Sequence, residues 1–119
     1  MSIKFSVIAL WAEDVPASAH FYRDVLGLTL LPHAGGRPHF DVNGIYLTIL
    51  KGVPTPAKNS EPDRFPLFTL SVDGLDAMVK RLENLHLEMP WGIESNADSR
   101  WVMFHDPGGN LIELVQFGE

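Results

Sequence analysis

The chain contains no cysteine, which excludes a disulfide framework, a thiolate metal site and a cysteine nucleophile. It is also short of basic residues: nine Lys and Arg stand against 15 Asp and Glu, a formal net charge of −6. A binder of phosphate backbones needs the opposite balance, so nucleic acid is not an expected partner. No segment approaches the ~20 consecutive apolar residues that a membrane span requires. The short apolar run at the N-terminus is followed at once by Glu13 and Asp14 rather than by a cleavage site. A mature first strand in a cytoplasmic protein, with no membrane partner, is the expectation.

What is present is ordinary globular material. The 119 residues are 45% hydrophobic and 20% charged, enough for one domain that buries roughly two-thirds of its unfolded surface without a staple.

Residues 3–11 (IKFSVIALW) are rich in β-branched and aromatic types and read as a strand. Asp14 then caps a helix, with Pro16 tolerated in its first turn and Gly27 supplying the left-handed stop. Ala19, Tyr22 and Leu26 share a stripe on this helix, with Phe21 and Val25 beside it. LTLLPH enters a turn at Gly35-Gly36, and PHFDV meets IYLTIL across Asn43-Gly44, the strongest short hairpin signal a sequence offers. The first half reads β, α, β, β, β.

Residues 52–66 carry four prolines among polar residues and read as a linker. FPLFTLSV is the next strand. Asp73 begins a second helix in which Leu75, Met78, Val79, Leu82 and His86 keep helical spacing, and Asp76 suits the positive end of its dipole. LEMPW, a polar loop, RWVMFH and NLIELVQF complete a second β, α, β, β, β. The segment 89–101 reads as an exposed connection between strands, with a lid as the alternative. Each half alone has a sheet face left to cover. The expected fold is α+β: a single domain over residues 1–119, with module one at 1–51, a linker at 52–65 and module two at 66–119. Its two mixed sheets are expected to curl around a cleft.

The residues DVPASAHFYRDVLGL, with Asp14, Phe21-Tyr22 and Leu26-Gly27, and DPGGNLIEL, with Asp106-Pro107, Gly109-Asn110 and Glu113, complete a recognisable pattern. In this order and separation they resemble the vicinal oxygen chelate superfamily. That group includes glyoxalase I, extradiol dioxygenases, fosfomycin resistance transferases and bleomycin resistance proteins. The resemblance covers nearly the whole chain and implies paired βαβββ modules and a homodimer. It also implies metal-ligand positions, which fall here at Val7, Thr48, Leu67 and Glu113. Valine and leucine have no donor atom and a threonine hydroxyl is a poor one, so Glu113 alone can bind a metal strongly. A one-residue slip brings up Ser6, Ile8, Pro66 and Phe68 instead, which are no better. The expectation is a site without metal or other cofactor. A relocated metal site would need Glu113 with His105 or His39.

Strand alternation sets Phe5, Val7, Ala9 and Trp11 on the face of the first ligand position, together with Tyr46, Thr48 and Leu50. Leu67, Thr69 and Ser71, then Leu111, Glu113 and Val115, follow by the same rule. An apolar, aromatic surface with a few hydroxyls and one acid is that of a small-molecule pocket. The expected ligand contacts are Phe5, Trp11, Tyr46, Thr48, Leu67, Trp91, Trp101 and Glu113. For the three tryptophans, core or dimer-interface packing is the competing role. For Glu113 the competing roles are a structural hydrogen bond and a general base. The leading expectation is a metal-free protein resembling bleomycin resistance proteins, which holds an aromatic or cationic molecule. The alternative is a metal-dependent lyase, isomerase or dioxygenase with displaced ligands around Glu113. Whether the chain is catalytic stays open.

Overall fold

A computed structural model describes residues 2–3, 5–33, 37–54 and 66–118. The turn expected at Gly35-Gly36 and residues 55–65 of the linker lie outside them. The chain forms two compact units, Met1–Thr55 with Pro107–Gly109, and Pro56–Asp106 with Asn110–Glu119.

The first unit contains β1 (Val7–Ala12), α1 (Val15–His20), β2 (Thr29–Leu30), β3 (His39–Val42) and β4 (Ile45–Lys51). Its sheet runs in the order β1-β4-β3-β2, with β1 parallel to β4 and the other pairs antiparallel. The second unit contains β5 (Thr69–Ser71), α2 (Leu75–Asn84), β6 (Ile93–Ser95), β7 (Ser99–His105) and β8 (Leu111–Phe117). Its order, β5-β8-β7-β6, repeats the first with the same parallel and antiparallel pairings. The internal repeat read from element order is therefore a repeat of topology, and the fold is α+β.

Asp14 caps α1 as expected, its Oδ1 accepting from the Ala17 N–H at 3.0 Å. A uniform helix does not follow. From Phe21 to Val25 the backbone widens into a π-helical turn, closed by the Leu26 N–H donating to the Phe21 carbonyl at 3.1 Å. The extra residue in that turn lets two consecutive aromatics, Phe21 and Tyr22, both be buried. They meet edge to face with centroids 5.2 Å apart, and Tyr22 packs on Phe40 at 6.1 Å. The stripe read from sequence assumes a regular helical period and so misses this turn. Gly27 takes φ 76° and ends the segment. Asn43 and Gly44, at φ 54° and 87°, make the β3–β4 hairpin turn with the positive angles that Asn-Gly promised.

In the second unit three expectations are corrected. The N-cap of α2 is Gly74, not Asp73, and its side-chain partner comes from elsewhere: Gln116 Oε1 accepts from the Leu75 N–H at 2.8 Å. His86 is not on the helix but follows it at φ 59°. There the His86 N–H donates to Glu83 O and the Leu87 N–H to Leu82 O, at 2.9 and 3.1 Å, a Schellman closure with histidine where glycine is usual. LEMPW is not a strand. The strand is Ile93–Ser95, inside the segment read as a polar loop, and Asn96 Oδ1 closes its hairpin by accepting from the N–H groups of Asp98 and Ser99.

Side-chain alternation decides which face of each sheet is covered. In the first, Leu10, Ala12, Phe40, Leu47 and Ile49 are buried on the face that α1 contacts. In the second, Val102, Phe104, Ile112 and Leu114 are buried on the face that α2 contacts through Leu75 and Leu82. The opposite face of each sheet carries the candidate site residues.

Candidate functional site

On the first sheet the register sets Val7 beside Tyr46, Ala9 beside Thr48 and Trp11 beside Leu50. These residues therefore share the face away from α1. It is aromatic and open: Phe5, Val7, Trp11 and Tyr46 are exposed. His39, opposite Thr48, stands edge-on to Tyr46 with centroids 6.5 Å apart. Thr48 differs from its neighbours. It is buried, and its hydroxyl donates to the Pro38 carbonyl at 3.0 Å, so its polar atom serves the fold.

On the second sheet Glu113 sits between Thr69 on β5 and Met103 on β7. Its Oε1 accepts from the Thr69 hydroxyl at 2.7 Å. This is the structural hydrogen bond weighed as a competing role, and it joins two residues of the face the sequence had grouped. One row along, Trp101 lies between Val115 and Glu94, and its Nε1–H donates to Glu94 Oε1 at 3.2 Å. Leu67 is exposed just before β5, and its N–H donates to Leu111 O at 2.9 Å. Trp91 is half-buried on a turn before β6, where the Gly92 N–H donates to Met89 O.

The residues that resemblance assigns to a metal do not fit one. Val7 and Leu67 offer no donor, the Thr48 hydroxyl is engaged with Pro38, and Glu113 is bonded to Thr69. A divalent ion needs three or more such groups. The histidines do not form a substitute. His20 Nδ1 is 2.7 Å from Asp24 and His105 Nδ1 is 2.8 Å from Glu88 Oε1, whose main-chain oxygen also accepts from the His105 N–H. Among the described residues no group of three or more His, Asp or Glu side chains is placed to hold a metal ion.

The perturbed carboxylates also lie elsewhere. Hydrogen bonds from Arg100 hold the Asp76 carboxyl below the usual carboxylate range, and Arg23 does the same for Asp24. Both pairs are exposed. An open groove of about 500 Å³ in the first unit runs between Val15, Pro16 and Ala19 of α1 and strand-end residues Leu30 and Lys51. Lys51 Nζ donates to the Glu13 carbonyl across it at 3.0 Å. None of these residues was expected from the sequence, and no motif marks them. The groove follows only from how α1 meets the strand ends.

Two curated relatives and one solved structure extend the picture. The Escherichia coli (strain K12) protein YaeR is 30% identical over 92% of each chain. Metallothiol transferase FosB of Lysinibacillus sphaericus (strain C3-41) is 29% identical over 86% of this chain and 74% of its own. The structure of TnmS3, an antibiotic binding protein from Streptomyces sp. CB03234, superposes with a TM-score of 0.73 over 99% of both chains at 24% identity, which speaks to fold alone. No helix among the described residues is long and apolar enough to cross a membrane. Residues 4–114 match a family as a whole, and the chain thereby belongs to the Glyoxalase/Bleomycin resistance protein/Dioxygenase superfamily.

Proposed function

We propose that this chain is a metal-free small-molecule-binding protein of the glyoxalase/bleomycin resistance type, which holds an aromatic or cationic ligand on its open sheet faces. The donor set carries this reading: of Val7, Thr48, Leu67 and Glu113, only Glu113 can ligate a cation strongly, and one of its oxygens already accepts from Thr69. Phe5, Trp11 and Tyr46 on the first sheet and Trp101 on the second supply the aromatic contacts. Glu113 supplies the charge that favours a cation. Leu67 adds apolar contact, Thr48 contributes its methyl rather than its hydroxyl, and Trp91 is a further contact.

A second reading, a metal-dependent lyase, isomerase or dioxygenase, draws on the similarity to a metallothiol transferase. Elemental analysis of protein purified without chelator separates the two. The proposal expects metal far below one ion per chain, and thermal shifts with planar aromatic cations. Near-stoichiometric nickel, zinc, manganese or iron overturns it.

We place the protein in the cytoplasm as a homodimer. Ile3, Phe5 and Val7 are 92%, 79% and 54% exposed in the single chain, a run of apolar surface that a second copy would cover. Light scattering at micromolar concentration checks this, and a monomer mass refutes it.

A further inference from the structure

Trp11 reaches its position because Gly52 has no side chain. The first ladder continues past β4, where the Gly52 N–H donates to the Ala12 carbonyl at 3.0 Å. Gly52 therefore lies beside the end of β1, two residues beyond Leu50 and on the same face as Trp11. A Cβ at Gly52 would stand 2.7 Å from Trp11 Cε3, 3.1 Å from Cζ3 and 3.6 Å from Cδ2. All three atoms belong to the six-membered ring of the indole, so that ring occupies the space a side chain would fill. The φ of Gly52 is not in the left-handed region. Close approach, not backbone freedom, is what requires glycine here.

We propose that Gly52 is a positioning residue for ligand binding. By admitting the Trp11 ring against the main chain, it fixes the angle at which the 44% exposed indole stacks on a planar aromatic ligand. The inference rests on the reading of the open first-sheet face as a ligand surface. The crowded atoms belong to a side chain rather than to the backbone, and that side chain can turn about χ1 and χ2. Gly52→Ala therefore re-aims the indole and leaves the sheet intact. The three atoms nearest such a methyl group all belong to Trp11, so its effect on ligand affinity runs through Trp11.

The test measures the affinity of proflavine, a planar aromatic cation, by fluorescence titration for wild type, Gly52→Ala, Trp11→Phe and the double variant, with unfolding temperatures for each. Gly52→Ala is expected to weaken binding at least fivefold while its unfolding temperature stays within a few degrees. Trp11→Phe is expected to weaken binding by at least as much, and adding Gly52→Ala to it to cost nothing more. That non-additivity is what a merely structural glycine would not produce. If Trp11→Phe loses affinity and Gly52→Ala does not, the Gly52 inference falls and the ligand surface stands. If neither variant differs from wild type, or wild type binds no proflavine, the ligand surface falls and takes the inference with it. Loss of fold in Gly52→Ala also overturns the inference, because the glycine would then be a requirement of folding.

Discussion

Removing the Asp106 carboxylate is expected to destabilise the second unit by about 2–4 kcal/mol. Asp106 and Asn110 are buried on either side of the turn between β7 and β8. Asp106 Oδ1 accepts from the Asn110 main-chain N–H at 2.8 Å and from Asn110 Nδ2 at 3.0 Å, and Oδ2 accepts from Nδ2 at 3.1 Å. The Asp106 N–H returns a bond to Asn110 O at 2.9 Å. Asp106→Ala leaves a main-chain donor and a side-chain amide without these acceptors, each at about 1–3 kcal/mol before the turn relaxes or admits water. Asp106→Asn keeps one acceptor but brings an NH2 towards the Asn110 NH2, so it should cost roughly 1–2 kcal/mol. Urea unfolding followed by far-UV circular dichroism measures both, and Asn110→Ala completes a double-mutant cycle whose coupling should exceed about 1 kcal/mol. An Asp106→Ala chain within about 0.5 kcal/mol of wild type, the scatter of ordinary surface changes, would refute the reasoning.

Three further outcomes follow from particular residues. His86→Gly relieves a left-handed residue at the end of α2 and should raise stability by about 0.5–1 kcal/mol, seen as a rise of several degrees in unfolding temperature. Gly108→Ala in the first unit would set a Cβ 2.4 Å from the Trp11 carbonyl oxygen and 3.1 Å from Ala12 Cα. Main-chain atoms cannot swing aside as the Gly52 contact can, so a loss of about 1–3 kcal/mol is expected in the same urea assay. Asp76 has its pKa lowered in the folded chain by Arg100. Its contribution is present above the unfolded value and is lost as pH falls through the folded one. Asp76→Asn should therefore flatten the acid limb of the stability profile below about pH 4, and an unchanged limb would show the exposed pair to be without consequence.

The sequence disclosed the topology because its punctuation is local chemistry. Asp14 acts through its side chain on the N–H three residues on, Gly27 and Asn43-Gly44 act through their own backbones, and each does in the structure what its residue type dictates. It failed where partners come from a distance. The side-chain partner at the start of α2 is Gln116, 41 residues beyond the N–H it satisfies, which a reading of local residue types such as Asp73 cannot reach. The π turn escaped because a regular helical period does not mark it. For the candidate site, alternation placed Val7 with Tyr46 and Thr69 with Glu113 on common faces. It could not show that Thr48 spends its hydroxyl on Pro38, nor that Gly52 seats Trp11. Both are contacts across strands, invisible to spacing.

The two modules share one strand order, yet their open faces differ, and the difference bears on how Glu113 is satisfied. The first sheet offers no strong donor at the matched positions, only valine and a satisfied threonine. The second keeps Glu113, a carboxylate that in half-buried surroundings is costly unless something donates to it. Thr69 answers that need from the neighbouring strand, directly opposite in register and 2.7 Å away. The hydroxyl does what a cation would do less locally: it satisfies one oxygen and leaves the charge in place. Removing the hydroxyl with Thr69→Val should therefore cost about 1 kcal/mol or more of stability in the absence of ligand. If Glu113 anchors a cationic ligand, as proposed, saturating ligand should recover part of that loss, because the ligand then supplies the missing partner. A Thr69→Val chain as stable as wild type without ligand would mean that water already serves Glu113, and that its survival on this face has another cause.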